Sequence, residues 1–424
     1  MNRITCARPA AIVRVAFTLG LGTMFLPAAA FAQAAARDAA VERETDEPGA
    51  IQRYRDRYES LKDKGVTFML GSILPGSSLA AGIGYAQPKF LNNYLGMSFE
   101  GAWSIRGYQQ YDVRLGRLRG REHRTELAPA DADVSSMFND DSLLSFGTSM
   151  FVQWRHRIFP RVDFFGLGQD ATEAGRSDFG IRGSSLDLVL QWQSHAHLGL
   201  SGRVGTLGLT LEPGTNHGVA DTTAMYSAEQ APALDFQPRY LMAGGAATFD
   251  FRDRPHLTTS GTFASVAIWH ASPRTSEAQD AGWSRLVTEI RHFQTLHGEK
   301  HVLALRGLLS TRLGDVTTPT PFFLQQTLGG SKTLRGFGSY RLRGDALWSA
   351  TAEYRWRAHR WVEVAPFIDL GAVATSFDDL SGVRPAATPG IGVRVMSSTR
   401  VIGRADLAHG RDGTRAVLTL STPF

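Results

Sequence analysis

The stretch DALWSATAEYRW, residues 345–356, decides the fold because its side chains alternate in character at every second position. One face would carry small and aromatic side chains: Ala346, Trp348, Ala350, Ala352, Tyr354 and Trp356. The other face would carry polar and charged ones, with Leu347 as the one exception: Asp345, Ser349, Thr351, Glu353 and Arg355. Successive side chains of a β-strand point to opposite faces, so this period of two predicts a strand with one apolar and one charged face.

Two later stretches repeat the pattern. VEVAPFIDLGAV (362–373) sets Val362, Val364, Pro366, Ile368 and Leu370 against Glu363, Phe367 and Asp369. GTRAVLTLSTPF (413–424) sets Ala416, Leu418, Leu420 and Phe424 against Arg415, Thr419 and Ser421, and Val417 breaks the pattern once. Strands of about 12 residues are closer to tilted membrane strands than to the ~5–6 residues typical of soluble sheets.

Long and tight connections separate these strands. Polar stretches at 118–144, 213–237, 271–282 and 313–343 are long, whereas those near 159–162, 296–300, 358–361 and 398–400 are tight. Tight periplasmic turns opposite long external loops are typical of outer-membrane barrels. Residues 65–424 accommodate about sixteen such strands. The sequence therefore predicts an all-β fold, a transmembrane antiparallel β-barrel of about 16 strands.

The first 32 residues have the features of a secretory signal peptide. Arg3, Arg8 and Arg14 precede the apolar run AFTLGLGTMFLPAAAFA, which ends with Ala30 and Ala32 at the small-residue cleavage positions. The run is short for a retained membrane anchor, so we expect cleavage after Ala32. The only cysteine, Cys6, lies in this segment, and the mature chain is expected to contain no disulfide, thiolate metal site or cysteine nucleophile.

Composition narrows the class further. The three arginines of residues 1–32 account for most of the +5 charge and leave 42 basic against 40 acidic groups, so no nucleic-acid partner is indicated. Mean hydropathy is −0.16, and the mature chain has no apolar run of the ~18 residues that a spanning helix needs. Helices and closed barrels are the two structures that span membranes, so a secreted, glycine-rich, alternating chain points to the barrel.

Residues 33–64 form a charged leader with few glycines. Ile51, Tyr54, Tyr58 and Leu61 fall at near-helical spacing. The segment is therefore either a short periplasmic helix or a solvated linker before a barrel of residues 65–424.

The long connection LGGSKTLRGFGSYRLRGD, residues 328–345, carries the most informative motif. Its glycines permit close backbone approach. Arg335 supplies a planar guanidinium with several hydrogen-bond donors, and Phe337 supplies an aromatic side chain for packing. We expect the connection to fold back into the barrel and place Arg335 against an acid, because a desolvated guanidinium is costly without one. Glu353 and Asp369 face the interior by the alternation above and are the candidates. The alternative is that all three are ordinary charges scattered in a water-filled pore.

These residues resemble a known family. Leu334-Arg335-Gly336-Phe337 resembles the [VIL]-R-G-[FY] signature of the BamA/TamA superfamily, the bacterial surface antigens, and Phe367-Ile368-Asp369-Leu370-Gly371 resembles its F-x-D-x-G strand. The resemblance implies a motif at the tip of a loop inside a sixteen-stranded barrel, with the arginine contacting the acid of that strand. The intervening stretch A-E-Y-R-W, which carries Glu353, resembles the acidic strand that the family has between these two motifs. Weaker matches are PGSSLAAGIGY (75–85), FFGLG (164–168) and FDFRDRPHLTTSG (249–261).

The resemblance also implies a function. Members insert or translocate other proteins at the outer membrane, without a cofactor and without enzymatic activity. Expected partners are outer-membrane lipid, an unidentified periplasmic or client protein, and the barrel assembly machinery, which would read Leu418, Leu420 and Phe424 as a β-signal by strand addition. We expect a monomeric barrel. The leader is too short for the periplasmic POTRA modules that precede many family barrels, so we expect a barrel-only member with a structural, transport or partner-dependent role.

Two other classes stay open at this point. A passive porin-like channel would share the barrel, and an outer-membrane hydrolase could assemble its site only on folding. The sequence has no G-x-S-x-G, H-E-x-x-H or P-loop motif. His195 and His197, in SHAHLG, would share one strand face as a metal pair, although a polar strand-end turn is the commoner arrangement.

Overall fold

Long strands dominate the computed structural model of this chain. The structure describes residues 61, 64–90, 95–118, 126–127, 147–195, 197–254, 257–274, 282–314, 320–397 and 400–419. The predicted signal peptide, most of the 33–64 leader, and Leu420 and Phe424 of the predicted β-signal lie outside these residues.

The described secondary structure consists of strands and a few short helical turns. The strands are β1 (Val66–Gly71), β2 (Ala80–Phe90), β3 (Leu95–Ser104), β4 (Gln109–Arg117), β5 (Glu126–Leu127), β6 (Gly147–Phe164), β7 (Ser177–His195), β8 (Leu198–Pro213), β9 (Ala220–Asp221), β10 (Tyr240–Asp250), β11 (Gly261–Pro273), β12 (Trp283–Thr295), β13 (His301–Leu313), β14 (Gln326–Leu328), β15 (Leu342–Gly344), β16 (Ala346–His359), β17 (Val362–Ala374), β18 (Ala386–Met396), β19 (Val401–Gly410) and β20 (Gly413–Thr419). The helical segments are α1 (Thr222–Met225) and three 3-10 turns at Glu173–Gly175, Phe322–Leu324 and Asp378–Gly382. In the described part of the chain, no helix is both long and apolar enough to cross a membrane.

One antiparallel sheet accounts for most of these strands. The main sheet contains 18 strands, of which β5 and β9 are two residues long and pair in parallel with β1 and β7. The other sixteen are neighbours in chain order, with antiparallel ladders from β2 through to β20. The predicted all-β fold of about sixteen antiparallel strands is confirmed. The short strands β14 and β15 pair only with each other.

The two faces of the sheet have the polarity that the alternation predicts. Along β16, Ser349, Thr351, Glu353 and Arg355 are buried, while Tyr354 and Trp356 on the other face are exposed. Strand β17 repeats this arrangement, with Glu363, Phe367 and Asp369 buried and Pro366 and Ile368 exposed. A continuous apolar outer face combined with a charged interior is the polarity of a barrel in lipid.

Two connections at one end of the sheet pack against each other and against the ends of β6 and β7. Phe322, from the connection between β13 and β16, packs 4.8 Å from the ring of Phe164 and 5.0 Å from the ring of Phe179, measured between ring centroids. Its backbone N–H donates to the carbonyl of Pro232, 2.9 Å away, in the connection between β8 and β10. The resulting buried aromatic cluster fixes the long connection, whose described residues 320–345 we call the interior loop.

The predicted tight turn at 159–162 is wrong. Strand β6 runs through these residues, and its ladder to β7 shifts register between Phe159 and Val162. Pro160 has no N–H to donate, which suits an irregular position where the ladder is interrupted. The freed carbonyls find other donors: the Tyr108 hydroxyl donates to Arg161 over 2.5 Å, and the Thr215 N–H donates to Pro160 over 3.2 Å.

Because β6 continues through residues 159–162, the long connections before and after it do not all lie at the same end of the sheet. Neighbouring strands alternate in direction, so connections alternate between a short-turn end, with 296–300 and 360–361, and a long-loop end, with 214–239 and 314–345. The stretch 118–144, predicted to be one of the long external loops, follows β4 at the short-turn end. Most of its residues lie outside those described.

Candidate functional site

The tip of the interior loop brings Arg335 to the middle of the barrel wall. Arg335 is 1% exposed. Its backbone N–H and Nε donate to Asp369 Oδ2 over 3.1 and 2.9 Å, and its Nη2 donates to Asp369 Oδ1 over 2.8 Å. Its Nη1 donates to Glu353 Oε2 over 3.0 Å. The structure therefore brings together the loop arginine and both predicted acids.

Further side chains complete the pocket around this guanidinium. The Arg335 guanidinium carbon lies 3.2 Å from the ring centroid of Phe367, so the motif phenylalanine forms the floor of the pocket. The hydroxyls of Thr351 and Thr388 donate to Asp369 over 3.0 and 3.3 Å. Since each oxygen of Asp369 receives at least two donors, the carboxylate is hydrogen-bonded despite its burial.

A wider charge network surrounds the pair. Glu353 also accepts from Arg355 Nε over 2.8 Å and from Arg394, and Arg394 donates to Glu363 over 2.9 Å. Asp406 lies 3.8 Å from Arg335 Nη1 and 2.9 Å from Arg404 Nε. The network so defined has four arginines and four carboxylates: Arg335, Arg355, Arg394 and Arg404 with Glu353, Glu363, Asp369 and Asp406. This balance offsets the cost of burying so many charges, and removing one member would leave its partners uncompensated.

The environment keeps Arg335 charged. Burial by itself lowers the pKa of this guanidinium, but the hydrogen bond and charge of Asp369, followed by the charges of Glu353 and Asp406, outweigh it and raise the pKa above its usual value. The loop tip therefore keeps its positive charge at all physiological pH values.

Apolar packing and glycine fix the loop beside this network. Leu334 and Phe337 are buried in a cluster with loop and wall residues: Leu328, Leu342, Leu347 and Val373. A Cβ on Gly371 would lie 2.9 Å from Leu328 Cδ1 and 3.0 Å from the Trp348 carbonyl oxygen. A Cβ on Gly336 would lie 2.9 Å from the Gly410 backbone nitrogen. These two motif glycines therefore provide the space in which loop and wall meet.

The sequence alone does not reveal three of the eight residues of this network, nor the partners of two more. Arg355 was placed on the inner face without a partner, and Glu363 was placed there likewise. Arg394, Arg404 and Asp406 were not singled out. The signal that could have found them is the same period of two in IGVRVM and IGRADLA, where each charge alternates with apolar residues.

The remaining predicted residues have different outcomes. Leu418 is 73% exposed, as an outward residue of the last strand, whereas Leu420 and Phe424 lie outside the described residues. Of the predicted histidine pair, the side chain of His195 also lies outside the described residues. The ring of His197 stacks on Phe251, with ring centroids 4.6 Å apart, and its Nδ1 is 2.7 Å from the Asp250 carbonyl oxygen. Within the described residues, no cluster of three or more His, Cys, Asp or Glu side chains is placed to hold a metal ion.

A long antiparallel sheet with an apolar outer face and an ion-paired interior loop defines the class of protein as a transmembrane β-barrel. The fold is similar to that of BamA from Haemophilus ducreyi lacking POTRA domains 1–3, with a TM-score of 0.57 and 15% identity, over 84% of this chain and 69% of that one. CdiB from Acinetobacter baumannii (TM-score 0.45, 12% identity, 84% of this chain and 59% of that one) and CdiB from Escherichia coli (0.49, 10%, 83% and 61%) are further matches. The chain thus spans about 60% of the length of those CdiB chains.

The family follows from the sequence profile of the Omp85 superfamily domain, which matches residues 144–409, more than half of the chain. The protein belongs to the Omp85 superfamily, and the predicted membership of the BamA/TamA group is confirmed at this level. Members of this superfamily are outer-membrane β-barrels. Comparison with curated protein sequences gives no significant match.

Proposed function

We propose that this protein resides in the bacterial outer membrane and there inserts or translocates other proteins, without catalysing a chemical reaction. Residues 1–32 would direct secretion, and Leu418, Leu420 and Phe424 would form the signal that the barrel assembly machinery recognises. A periplasmic or client protein would be the working partner.

The observation that carries this proposal is the locked interior loop. Arg335 is anchored by four hydrogen bonds to Asp369 and Glu353, in a chain of the Omp85 superfamily. A buried, charge-balanced loop inside the barrel supports a barrel that must hold and release a defined conformation.

The experiment is deletion of the gene in its native host, followed by complementation and quantitative proteomics of purified outer membranes. Wild type should restore the outer-membrane proteins that are lost on deletion, and Arg335→Ala should restore them poorly. Arg182→Ala is the matched control, because Arg182 is exposed and pairs with the partly exposed Glu212. An outer-membrane proteome that does not change on deletion contradicts the proposed function.

Covalent capture would identify the partner. A photo-crosslinking residue placed at Thr414, exposed on the last strand, should trap client or periplasmic proteins in growing cells, and one at Met150, exposed on β6, serves as the control. Equal capture of general membrane proteins at both positions argues against a dedicated client site.

A further inference from the structure

Two arginines face each other at the long-loop end of β10 and β11. Arg274 N–H donates to the Arg239 carbonyl over 2.7 Å, which extends the ladder of the two strands by one pair. Both side chains are exposed. Leu241 lies two residues further along β10 and is exposed on the outer face. Side chains two residues apart share a face of a sheet, so the two arginines, which we call the arginine pair, lie on the outer face of the barrel.

A glycine of the neighbouring strand positions Arg239. Gly208 on β8 lies between the buried residues Leu207 and Leu209, so position 208 faces outward. A Cβ on Gly208 would lie 3.7 Å from Arg239 Cγ and 3.9 Å from Arg239 Nε. The stem of Arg239 therefore lies along the outer wall, in the space that the missing side chain leaves.

The protein does not offset the repulsion within the arginine pair. Like charges directly opposite each other on neighbouring strands are destabilising. Within the part of the chain that the structure describes, neither guanidinium lies within ion-pair distance of a carboxylate. Arg182, exposed at the same end of β7, differs in this respect, because its Nε lies 2.9 Å from Glu212 Oε1 on β8. An anion bound between the two guanidinium groups of the pair would remove this cost.

The outer face beside the arginine pair changes from polar to aliphatic with distance from the end of the strands. His270 is hydrogen-bonded through Nε2 to the hydroxyl of Ser272 and through Nδ1 to the hydroxyl of Ser284, each over 2.9 Å. Further along the strands the wall is aliphatic, with three exposed side chains: Leu200, Val266 and Ile268. A lipid has the same order of groups, with a charged headgroup, a polar backbone and acyl chains, so the wall favours a lipid over a free anion.

From this arrangement we infer that the arginine pair binds the phosphate of a phosphorylated lipid headgroup in the leaflet at the long-loop end. The two guanidinium groups donate to the phosphate oxygens, which planar guanidinium groups match well. The hydroxyls of Ser272 and Ser284 lie at the level of the polar lipid backbone, and the acyl chains lie along the aliphatic wall. The inference rests on the membrane location of the proposed function but does not depend on client insertion.

The test uses the purified full chain in phosphatidylcholine vesicles, with Leu241→Trp as a fluorescent reporter beside the pair. Equal mole fractions of brominated phosphatidic acid, whose headgroup is a phosphate, or brominated phosphatidylcholine are added. The reporter signal is the difference between Leu241→Trp and wild type. We expect reporter quenching by the brominated phosphatidic acid to exceed that by the brominated phosphatidylcholine at least about twofold at low salt, since each cation at a lipid surface favours anionic lipid several-fold. The excess should shrink as salt is added.

Variants made together with the reporter assign the effect. Arg239→Gln/Arg274→Gln should abolish the excess, whereas Arg182→Gln, which removes an exposed cation that Glu212 already neutralises at the same end, should retain it. Arg274→Gln alone, which should lose part of the excess, replaces the double variant if that one does not fold. Thr206→Trp, exposed and directly opposite Leu241 on β8, is the second reporter if Leu241→Trp does not fold.

The outcomes separate this inference from the proposed function. Equal quenching of the reporter by the two brominated lipids, or an excess that survives the loss of the arginine pair, overturns the inference and leaves the proposed function standing. An excess that Arg182→Gln reduces as much as the double variant also overturns it, because the effect would then be one of general charge. Absence of reporter quenching by either lipid overturns the membrane location as well.

Discussion

At the scale of single residues, burial makes the geometry of Arg335 decisive. A guanidinium offers several donors in a rigid plane, and here they serve two carboxylates at once, Asp369 and Glu353. Surface ion pairs contribute little because water screens them, whereas a buried partner that loses its counter-charge is left desolvated. The contribution of this residue is therefore best measured against an exposed arginine of the same sheet.

Replacing Arg335 by alanine should destabilise the barrel by about 3–5 kcal/mol, because two buried acids lose a cation. Arg335→Lys should recover only part of this loss, since one ammonium group keeps the charge but cannot reproduce the hydrogen bonds of the planar guanidinium. Urea unfolding of the refolded protein, followed by the gel mobility of unheated samples, measures both effects. Arg182→Ala, which breaks an exposed pair, should cost less than about 1 kcal/mol. A cost for Arg335→Ala no larger than for Arg182→Ala would rule out a stabilising role for the buried pairs.

A methyl group on Gly336 should displace the loop tip. Its Cβ would come within 2.9 Å of the backbone of Gly410 and 2.8 Å of Thr388 Cγ2, and a strand backbone cannot move aside cheaply. Gly336→Ala should therefore increase proteolysis within residues 328–345. Gly202→Ala is the matched control, because a Cβ there meets nothing within 4 Å. Identical cleavage of the two variants would contradict the close approach.

At the scale of elements, the sequence predicts strand orientation best where one face of a strand carries polar or charged side chains along most of its length. β16 and β17 alternate, apart from Leu347, because lipid faces one side and ion pairs face the other, so Glu353 and Asp369 could be assigned to the interior in advance. The segment around Pro160 was wrongly predicted to be a turn because proline and arginine are common in turns. Tertiary contacts with Tyr108 and Thr215 hold it instead as an irregular strand. Partners such as Arg394 and Arg404 depend on how far the sheet curves, which a local pattern does not encode.

Arg341 ties three connections of the long-loop end together. Its guanidinium donates to Asp412 over 2.7 Å and 3.2 Å, in the turn between β19 and β20, and to the carbonyl of Ala171 over 2.8 Å, in the connection between β6 and β7. Asp412→Asn should therefore loosen the two segments that Arg341 holds to the interior loop, the β6–β7 connection and the β19–β20 turn. Hydrogen exchange should accelerate in residues 165–176 and 411–413, with residues 296–300 at the opposite end unchanged. Acceleration confined to the turn itself would show that Arg341 does not couple the connections.

At the scale of the whole molecule, the interior loop joins strands of the wall that are not neighbours in the sheet. Its Lys332 carbonyl accepts from Arg306 on β13, and its Ser331 carbonyl accepts from Arg404 on β19 over 3.0 Å. Towards the long-loop end, Gly168 donates to the Arg343 carbonyl over 2.8 Å, and Gln169 Oε1 accepts from Val373 N–H over 3.0 Å. These hydrogen bonds hold the loop in place inside the barrel. A gated barrel conducts ions only when such a loop moves, whereas an open pore conducts them while the loop stays in place.

Conductance in planar bilayers distinguishes these two possibilities. Wild type should show small, infrequent openings because the loop crosses the interior, and Arg335→Ala should raise the mean conductance several-fold by releasing the loop tip from Asp369 and Glu353. Arg182→Ala should behave as wild type, since Arg182 is exposed and pairs outside the loop network. A large steady conductance in wild type that does not respond to Arg335→Ala would instead favour a porin-like channel, because the loop would then leave a permanent aqueous path beside it.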